Sequence, residues 1–393
     1  MATLIDVTAA VTWTVTCVTL AGNEHVFDVP AEVTVPQFKA AVADRLGVAC
    51  FQVQLAYGDA LVRGVGQLAD SVGDNLPLSL ALVSLPRASA ITAGVHHTAA
   101  ITESGRAVCW GGHEDNADVV WEPELKPGET FVQIAASGSV TAAITSSGHA
   151  VLWGDDRDGQ ISGVPKLHDG ESYVQIAAGD NHMAAITSKG HALCWGCDAD
   201  GKVSTMPRLN PGESFVQISA GDYHTSAITS SGDAVCWGSG GNKRVACARE
   251  LNPDESFVQI SAGEYHTAAL TSNGRAVCWG ISSGRAVVGF GDDRNGQISG
   301  IPELNPGESF VQISAGGRTT AAITSTGRAV CWGEDNHGQV SGVPALPAGE
   351  TFVQIAAGGM HTVTITSSGR ALSWGCDRNG QCTGVHGCAF VVP

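Results

Sequence analysis

One phrase recurs through most of this chain, and its spacing limits the fold more than any other feature. Phe-Val-Gln-Ile, or a close variant, begins at Phe131, Tyr173, Phe215, Phe257, Phe310 and Phe352, at intervals of 42, 42, 42, 53 and 42 residues. A degenerate copy precedes them near Ala88, where Ile91, Gly94 and His97 hold the register, which makes seven units. Each unit reads FVQIAAG-xx-HTAAITSSGRAVCWG, then a polar loop, then GQISGVP-x-LNPGES. The β-branched residues of the first two segments predict strands. Ser-Gly and Asn-Gly steps predict tight hairpins, because glycine supplies a positive φ. The expected unit is three strands, a loop and a short fourth strand.

A sheet this small cannot bury its faces alone. Stacked neighbours bury them, and a closed ring removes the exposed terminal faces. The expectation is therefore an all-β seven-bladed propeller over residues 87–393. One tryptophan marks each unit, at Trp110, Trp153, Trp195, Trp237, Trp279, Trp332 and Trp374. Each is read as the buried anchor of its blade. The position before it is Cys109, Leu152, Cys194, Cys236, Cys278, Cys331 and Ser373, which marks a small packing site.

Two irregularities stand out. The first unit has Arg87-Ala88-Ser89-Ala90 in place of the FVQI strand, while the chain ends in Phe390-Val391-Val392. This end is expected to pair with the first blade as a closing strand. The fifth unit is longer, and Ser282–Gly291 echoes Ser272–Gly280 as a duplicated hairpin arm. It reads as a longer surface strand or loop. As a partner-contacting wedge, its candidate residues are Arg285 and Phe290.

Residues 10–86 carry no repeat. Strands are expected over 13–22, 25–30, 53–59 and 76–85. A helix is expected after Thr34, with Phe38, Val42 and Leu46 on one face and Gly47 at its end. The result is a small α+β roll.

Composition excludes several functions. The formal net charge is −17, with six lysines and no basic run, which disfavours nucleic acids and anionic membranes. The sequence shows neither a secretory leader nor a long apolar span. The twelve cysteines then point to a reducing compartment, cytosol or nucleus. Histidine recurs at His97, His182, His224, His266 and His361, with Val140 and Thr319 in the other two units. Equivalent positions on separate blades cannot share one ion, so these histidines are expected to pin each hairpin by a hydrogen bond. Cys194-Trp195-Gly196-Cys197 lacks the second pair of a zinc site. The loops at Asp156, Asp292 and Asp377 lack the distal glutamate of a calcium loop and read as Asx turns. No cofactor, metal or catalytic motif is expected, so the chain reads as a non-enzyme.

The Gly-x-x-His-Thr step, the Ser-x-Gly-x-Ala-x-x-Trp-Gly strand and the Gly-Gln after the loop resemble the regulator of chromosome condensation repeat superfamily. The short units look like those of its bacterial β-lactamase-inhibitor propellers. Residues 10–86 are similar to ubiquitin: a hairpin at Thr19-Leu20-Ala21-Gly22, the helix Phe38 to Leu46, the strand Gln54 to Gly58, and the strand Ser79 to Leu85. Carried over by position, that family's exposed apolar patch falls on Leu20, Leu55 and Ala81. Such propellers occur in HECT-class ubiquitin ligases, and the ligase domain is absent here. The resemblance thus implies a non-enzymatic interaction scaffold, an adaptor or substrate receptor in the ubiquitin pathway. The alternative it implies is a guanine-nucleotide exchange factor for a small GTPase. A light-sensing role, known for one plant member of the fold, requires tryptophans on a subunit face. Here they sit at anchor positions.

Overall fold

Each FVQI–HTAAIT–AVCWG run folds into an antiparallel three-stranded sheet, and the computed structural model contains seven of them in succession. Residues 88–112, 123–238, 251–252, 254–280 and 293–382 are described in full, with the backbone of five earlier strands. The first strands of the blades are Ala88–Ala93, Phe131–Ser137, Tyr173–Ala178, Phe215–Ala220, Phe257–Ala262, Phe310–Ala315 and Phe352–Ala357. The second are His97–Thr102, Val140–Thr145, His182–Thr187, His224–Thr229, His266–Thr271, Thr319–Thr324 and His361–Thr366. The third are Ala107–Gly111, Ala150–Gly154, Ala192–Gly196, Ala234–Gly238, Ala276–Gly280, Ala329–Gly333 and Ala371–Gly375.

The apolar cores lie between blades rather than within them. One cluster joins Val140, Ala142 and Ile144 of the second blade to Tyr173, Ile176, Met183 and Trp195 of the third. Second strands are buried along their whole length because a neighbouring blade covers each face. Their alanines let the sheets approach closely. Every repeat tryptophan is 3–7 % exposed. In blades two to seven, the tryptophan and the Phe or Tyr opening the first strand lie tilted against each other, ring centroids 5.9–6.5 Å apart. The valine after that aromatic is a bulge residue, and its side chain is 54–60 % exposed.

Trp332 also donates Nε1–H to the Gln297 carbonyl at 3.1 Å. Trp332→Ala should cost roughly 3–5 kcal/mol, from lost burial and the cavity left behind. Trp332→Phe should cost about 1–2 kcal/mol, chiefly the lost hydrogen bond. Urea unfolding of the two variants would separate these contributions.

The innermost strands of adjacent blades form no backbone ladder, and glutamine side chains bridge them instead. The Gln133 amide accepts from Ile176 N at 2.8 Å and donates to Ile176 O at 3.1 Å. Gln175, Gln217, Gln259 and Gln312 accept from Ile218, Ile260, Ile313 and Ile355 in the same way. Gln354 of the seventh blade accepts from Ile91 N of the first at 3.1 Å, so the stitch crosses the closing seam.

Three expectations need correction. The first blade does have an innermost strand: Ala88 pairs with Thr102 just as Phe131 pairs with Thr145, since backbone pairing needs no aromatic side chain. The segment expected as a fourth strand is a turn in the described loops. There Asp156 Oδ1 accepts from Ile161 N and Ser162 N at 2.7 and 3.0 Å, taking the amides a strand would use. Asp198, Asp293, Asp335 and Asp377 cap their loops likewise. The repeat histidines pin blade to blade rather than hairpin to hairpin. His97, His182, His224, His266 and His361 Nε2 lie 2.7–3.0 Å from the hydroxyls of Thr141, Thr225, Thr267, Thr320 and Thr98 on the next blade.

The chain divides into two compact units, one containing Met1–Pro86 and the other spanning Arg87–Cys382. The first carries β1 (Thr12–Thr19), β2 (Glu24–Pro30), β3 (Val53–Tyr57), β4 (Ala60–Leu61) and β5 (Leu78–Ser84), in sheet order β2-β1-β5-β3-β4. β1 runs parallel to β5, and the other neighbours are antiparallel. The helix expected after Thr34, the fifth-unit insertion and the Phe390–Val392 end lie outside the described residues.

Candidate functional site

The first and second strands of each blade are joined by a Gly-x-x turn, and the seven turns form a collar at one mouth of the central channel. In the turn of the fourth blade, Gly221 N donates to His224 O at 2.8 Å. Gly221 must be glycine: a Cβ there would lie 2.1 Å from the Gly263 carbonyl oxygen of the next turn. Gly263 faces Gly316 O in the same manner at 2.2 Å.

The two middle residues of each turn form a different pair in every blade, although Gly317 is itself hemmed in, since a Cβ there would lie 2.7 Å from the Gly359 carbonyl oxygen. The pairs are Val95-His96, Gly138-Ser139, Asp180-Asn181, Asp222-Tyr223, Glu264-Tyr265, Gly317-Arg318 and Gly359-Met360. A frame repeated seven times thus presents a ring of variable side chains, the arrangement of a recognition surface on a rigid scaffold. Beneath it lies a cavity of about 750 Å³, lined by Gln217, Ser219, Ser261 and their equivalents, with Asp222, Glu264 and Arg318 at its edge.

One sector of the collar is acidic and aromatic. Asp180, Asp222 and Glu264 occupy the same turn position on three consecutive blades. Tyr223 and Tyr265 stack with centroids 5.1 Å apart and planes 19° from parallel, and Tyr223 is 37 % exposed. Lys202 stands where other loops have Gln160, Gln297, Gln339 and Gln381. Its buried ammonium donates to the Asp222 carbonyl at 3.0 Å and lies 3.7 Å from Asp200.

Burial, with the charges of Asp180 and Glu264, pushes the Asp222 carboxyl up to about 7, against the pull of Lys202. A carboxyl raised in the fold holds protons that the unfolded chain has released between pH 4 and 7. Asp222 therefore lowers stability as pH rises through that window. Asp222→Asn should stabilise the protein at pH 8 on the order of 2 kcal/mol after allowing for partial exposure, and less at pH 5. Denaturant midpoints at the two pH values would show it.

Of the five residues proposed from sequence, two lie on described backbone, in paired strands. Leu55 lies in β3 and Ala81 in β5, where Leu55 pairs with Leu82 and Ala56 with Ala81. Leu20, Arg285 and Phe290 lie outside the described residues. Sequence reasoning passed over Asp180, Asp222, Glu264 and Lys202. Their signal was present as departures from the repeat at otherwise constant positions. Among the described cysteines no disulfide forms. Burial pushes Cys194 and Cys331 up to about 12, which suits packing rather than redox or metal chemistry. Among the described residues, no group of three potential ligands could hold a metal ion.

The profile of the RCC1-like domain matches residues 59–342, and that of the regulator of chromosome condensation (RCC1) repeat matches residues 352–381. No curated protein sequence matches the chain. Among solved structures, the CRINKLY WD40 ectodomain of the Arabidopsis thaliana receptor kinase ACR4 is 22 % identical, covers 76 % of this chain and 99 % of its own, and gives a TM-score of 0.53. Prp20p from Saccharomyces cerevisiae, described with its binding to Gsp1p and histones, is 19 % identical over 70 % of this chain and 81 % of its own, with a TM-score of 0.53. Human WBSCR16 is 17 % identical over 79 % and 98 %, with a TM-score of 0.54. Identities this low speak to the fold alone, while the domain profile, matched over more than half of the sequence, places this chain in the RCC1-like domain family.

Proposed function

We propose that this protein is a non-enzymatic interaction scaffold that holds a protein partner on the collar of its propeller. The observation that carries this reading is the contrast between constant frame and variable turn residues. A frame held by glycine, histidine and tryptophan contacts leaves the turn pairs free to serve recognition. Affinity capture with the full chain, repeated with Arg318→Glu and Tyr223→Ala, tests it. A partner retained equally by both variants and by wild type rules out the collar as the binding face.

A second reading is guanine-nucleotide exchange on a small GTPase. It is favoured by the fold shared with Prp20p, whose described partners include Gsp1p. Release of a fluorescent guanine nucleotide from a panel of small GTPases decides it, and unchanged rates remove it. Arg285 and Phe290 of the insertion are the residues proposed for such a contact.

A narrower role in the ubiquitin pathway rests on the resemblance of residues 10–86 to ubiquitin, in the unit whose described strands pair in the order β2-β1-β5-β3-β4 with β1 parallel to β5. We place its docking patch at Leu20, Leu55 and Ala81, and its compartment in the cytosol or nucleus. Leu55→Asp should abolish capture of ubiquitin-pathway components. Capture unchanged by the substitution would set this role aside.

A further inference from the structure

We propose that the sector of the collar formed by the third to fifth blades binds an arginine-rich extended segment of the partner, with guanidinium groups stacked on Tyr223 and Tyr265 and paired with Asp180, Asp222 and Glu264. This rests on the scaffold reading and names the chemistry of its partner.

Three independent observations converge on it. The first is the tyrosine pair. Two aromatic rings lie nearly parallel at 5.1 Å, and Tyr223 remains 37 % exposed on a surface where the fold does not require an aromatic. Equivalent positions carry His96, Ser139, Asn181, Arg318 and Met360. A planar cation stacks on such a face and gains from the negative face of the ring.

The second is the crowding of like charge. Three carboxylates sit at one turn position on successive blades, and Asp222 is half-buried. The fold bears this repulsion, and an incoming cation relieves it. The neighbouring ammonium of Lys202 is turned to the Asp222 backbone carbonyl and is itself buried.

The third is shape and sign. The sector borders an open cavity of about 750 Å³, room for more than one side chain. Arg318, on the sixth-blade turn adjoining that of Glu264, bounds the sector at one end, where it repels a basic segment and so sets its direction. The formal net charge of −17 steers such a segment inward. The described residues offer no ligand set for a metal.

Arginine fits better than lysine. Its guanidinium is planar, stacks on tyrosine and can pair with a carboxylate through two parallel hydrogen bonds, whereas an ammonium is a point charge.

The test uses the full chain and fluorescent octapeptides alternating Arg-Gly, Lys-Gly and Asp-Gly, followed by anisotropy at low and at physiological salt. The Arg-Gly peptide should bind roughly tenfold more tightly than Lys-Gly, and Asp-Gly should not bind. The double variant Asp222→Asn with Glu264→Gln should weaken Arg-Gly at least about tenfold. Tyr223→Leu should weaken Arg-Gly about fivefold and reduce its advantage over Lys-Gly. Glu103→Gln, an exposed carboxylate on a different turn of the first blade, should change nothing. Binding should tighten between pH 6 and 8 as Asp222 ionises in the company of Asp180, Glu264 and Lys202. Asp222→Asn should flatten that profile.

Equal binding of Arg-Gly and Lys-Gly, equal weakening by Glu103→Gln, or no binding at all would each overturn the proposal. A collar that captures a protein partner but ignores the Arg-Gly peptide keeps the scaffold reading and removes this one.

Discussion

Acidification from pH 7 to pH 5 should unfold the propeller cooperatively. Burial holds the imidazoles of His97 and His266 down at about 4, and those of His182, His224 and His361 at about 3. Nearby cationic groups add to this: His96 at His97, Lys202 at His182, and the neighbouring repeat histidines at His224 and His361. The hydrogen-bond pattern explains why the charged form is excluded. Thr320 donates to the Gln297 carbonyl and Thr98 to the Gln381 carbonyl, so each hydroxyl must accept from its histidine. That makes Nε2 the protonated nitrogen of His266 and His361. Nδ1 of all five rings is buried without a partner and would have to carry the second proton.

The sign follows from linkage. A histidine whose folded pKa is lowered stabilises fully above its unfolded value near 6.5. That stability is lost as pH falls toward the folded value, because only the unfolded chain takes up protons in between. Each histidine loses about 2 kcal/mol between pH 7 and 5, so five approach 10 kcal/mol, comparable to the whole stability of a typical domain. Asp222 opposes the trend, but as a single group. Circular dichroism against pH should show a midpoint near 5. His224→Thr should lower the number of protons taken up on unfolding by about one. A native spectrum and an unchanged urea midpoint at pH 4.5 would refute the idea.

The chain contains its own control. Where the second blade has Val140 in place of histidine, the third has Met183 in place of the threonine that would receive it. Both are buried, at 1 % and 0 %. An apolar pair of matching volume replaces the polar pair, and neither partner is left unsatisfied. That interface should be insensitive to acid.

Truncation after Cys376 should be the most damaging single change to the closing seam. The Gln381 carbonyl accepts from Thr98 Oγ1 at 2.8 Å and from Trp110 Nε1 at 3.0 Å, both on the first blade. It does for the seam what Gln297 and Gln339 do between other blades. Loss of two buried hydrogen bonds and uncovering of an indole should together cost on the order of 5 kcal/mol. The expected result is a large drop in melting temperature and faster proteolysis from the carboxy-terminal side. Truncation after Cys382 keeps the Gln381 contacts and isolates whatever Phe390–Val392 contributes. If both truncated chains melt with the full-length protein, the ring is not latched at Gln381.

Much of the architecture was legible because it is repeated. The tryptophan of each unit, the Ser-Gly hairpins and the FVQI phrase recur in register, and a recurring apolar residue in a sheet too small for its own core must face a neighbour. The roles of Gln133, His224 and Gln297 were not legible in the same way. Each bonds to an atom on another blade, at a residue some 23 to 44 positions away or, at the seam, as far as 283. No local pattern encodes a partner at that distance. The collar lay between these cases. Its glycines and its variable pairs were visible in the repeat, but only the stacking of successive blades turns Asp180, Asp222 and Glu264 into neighbours.

The amino-acid sequence by itself determined the number of blades, the first three strands of each and the residues that fill the wedges between them, because periodic burial leaves a periodic trace. The tertiary structure alone decided which hydrogen-bond partners lock one blade to the next, how the seventh meets the first, and which side chains share the mouth of the channel. Those depend on distances across a closed ring, and ring closure brings together residues that the chain keeps far apart.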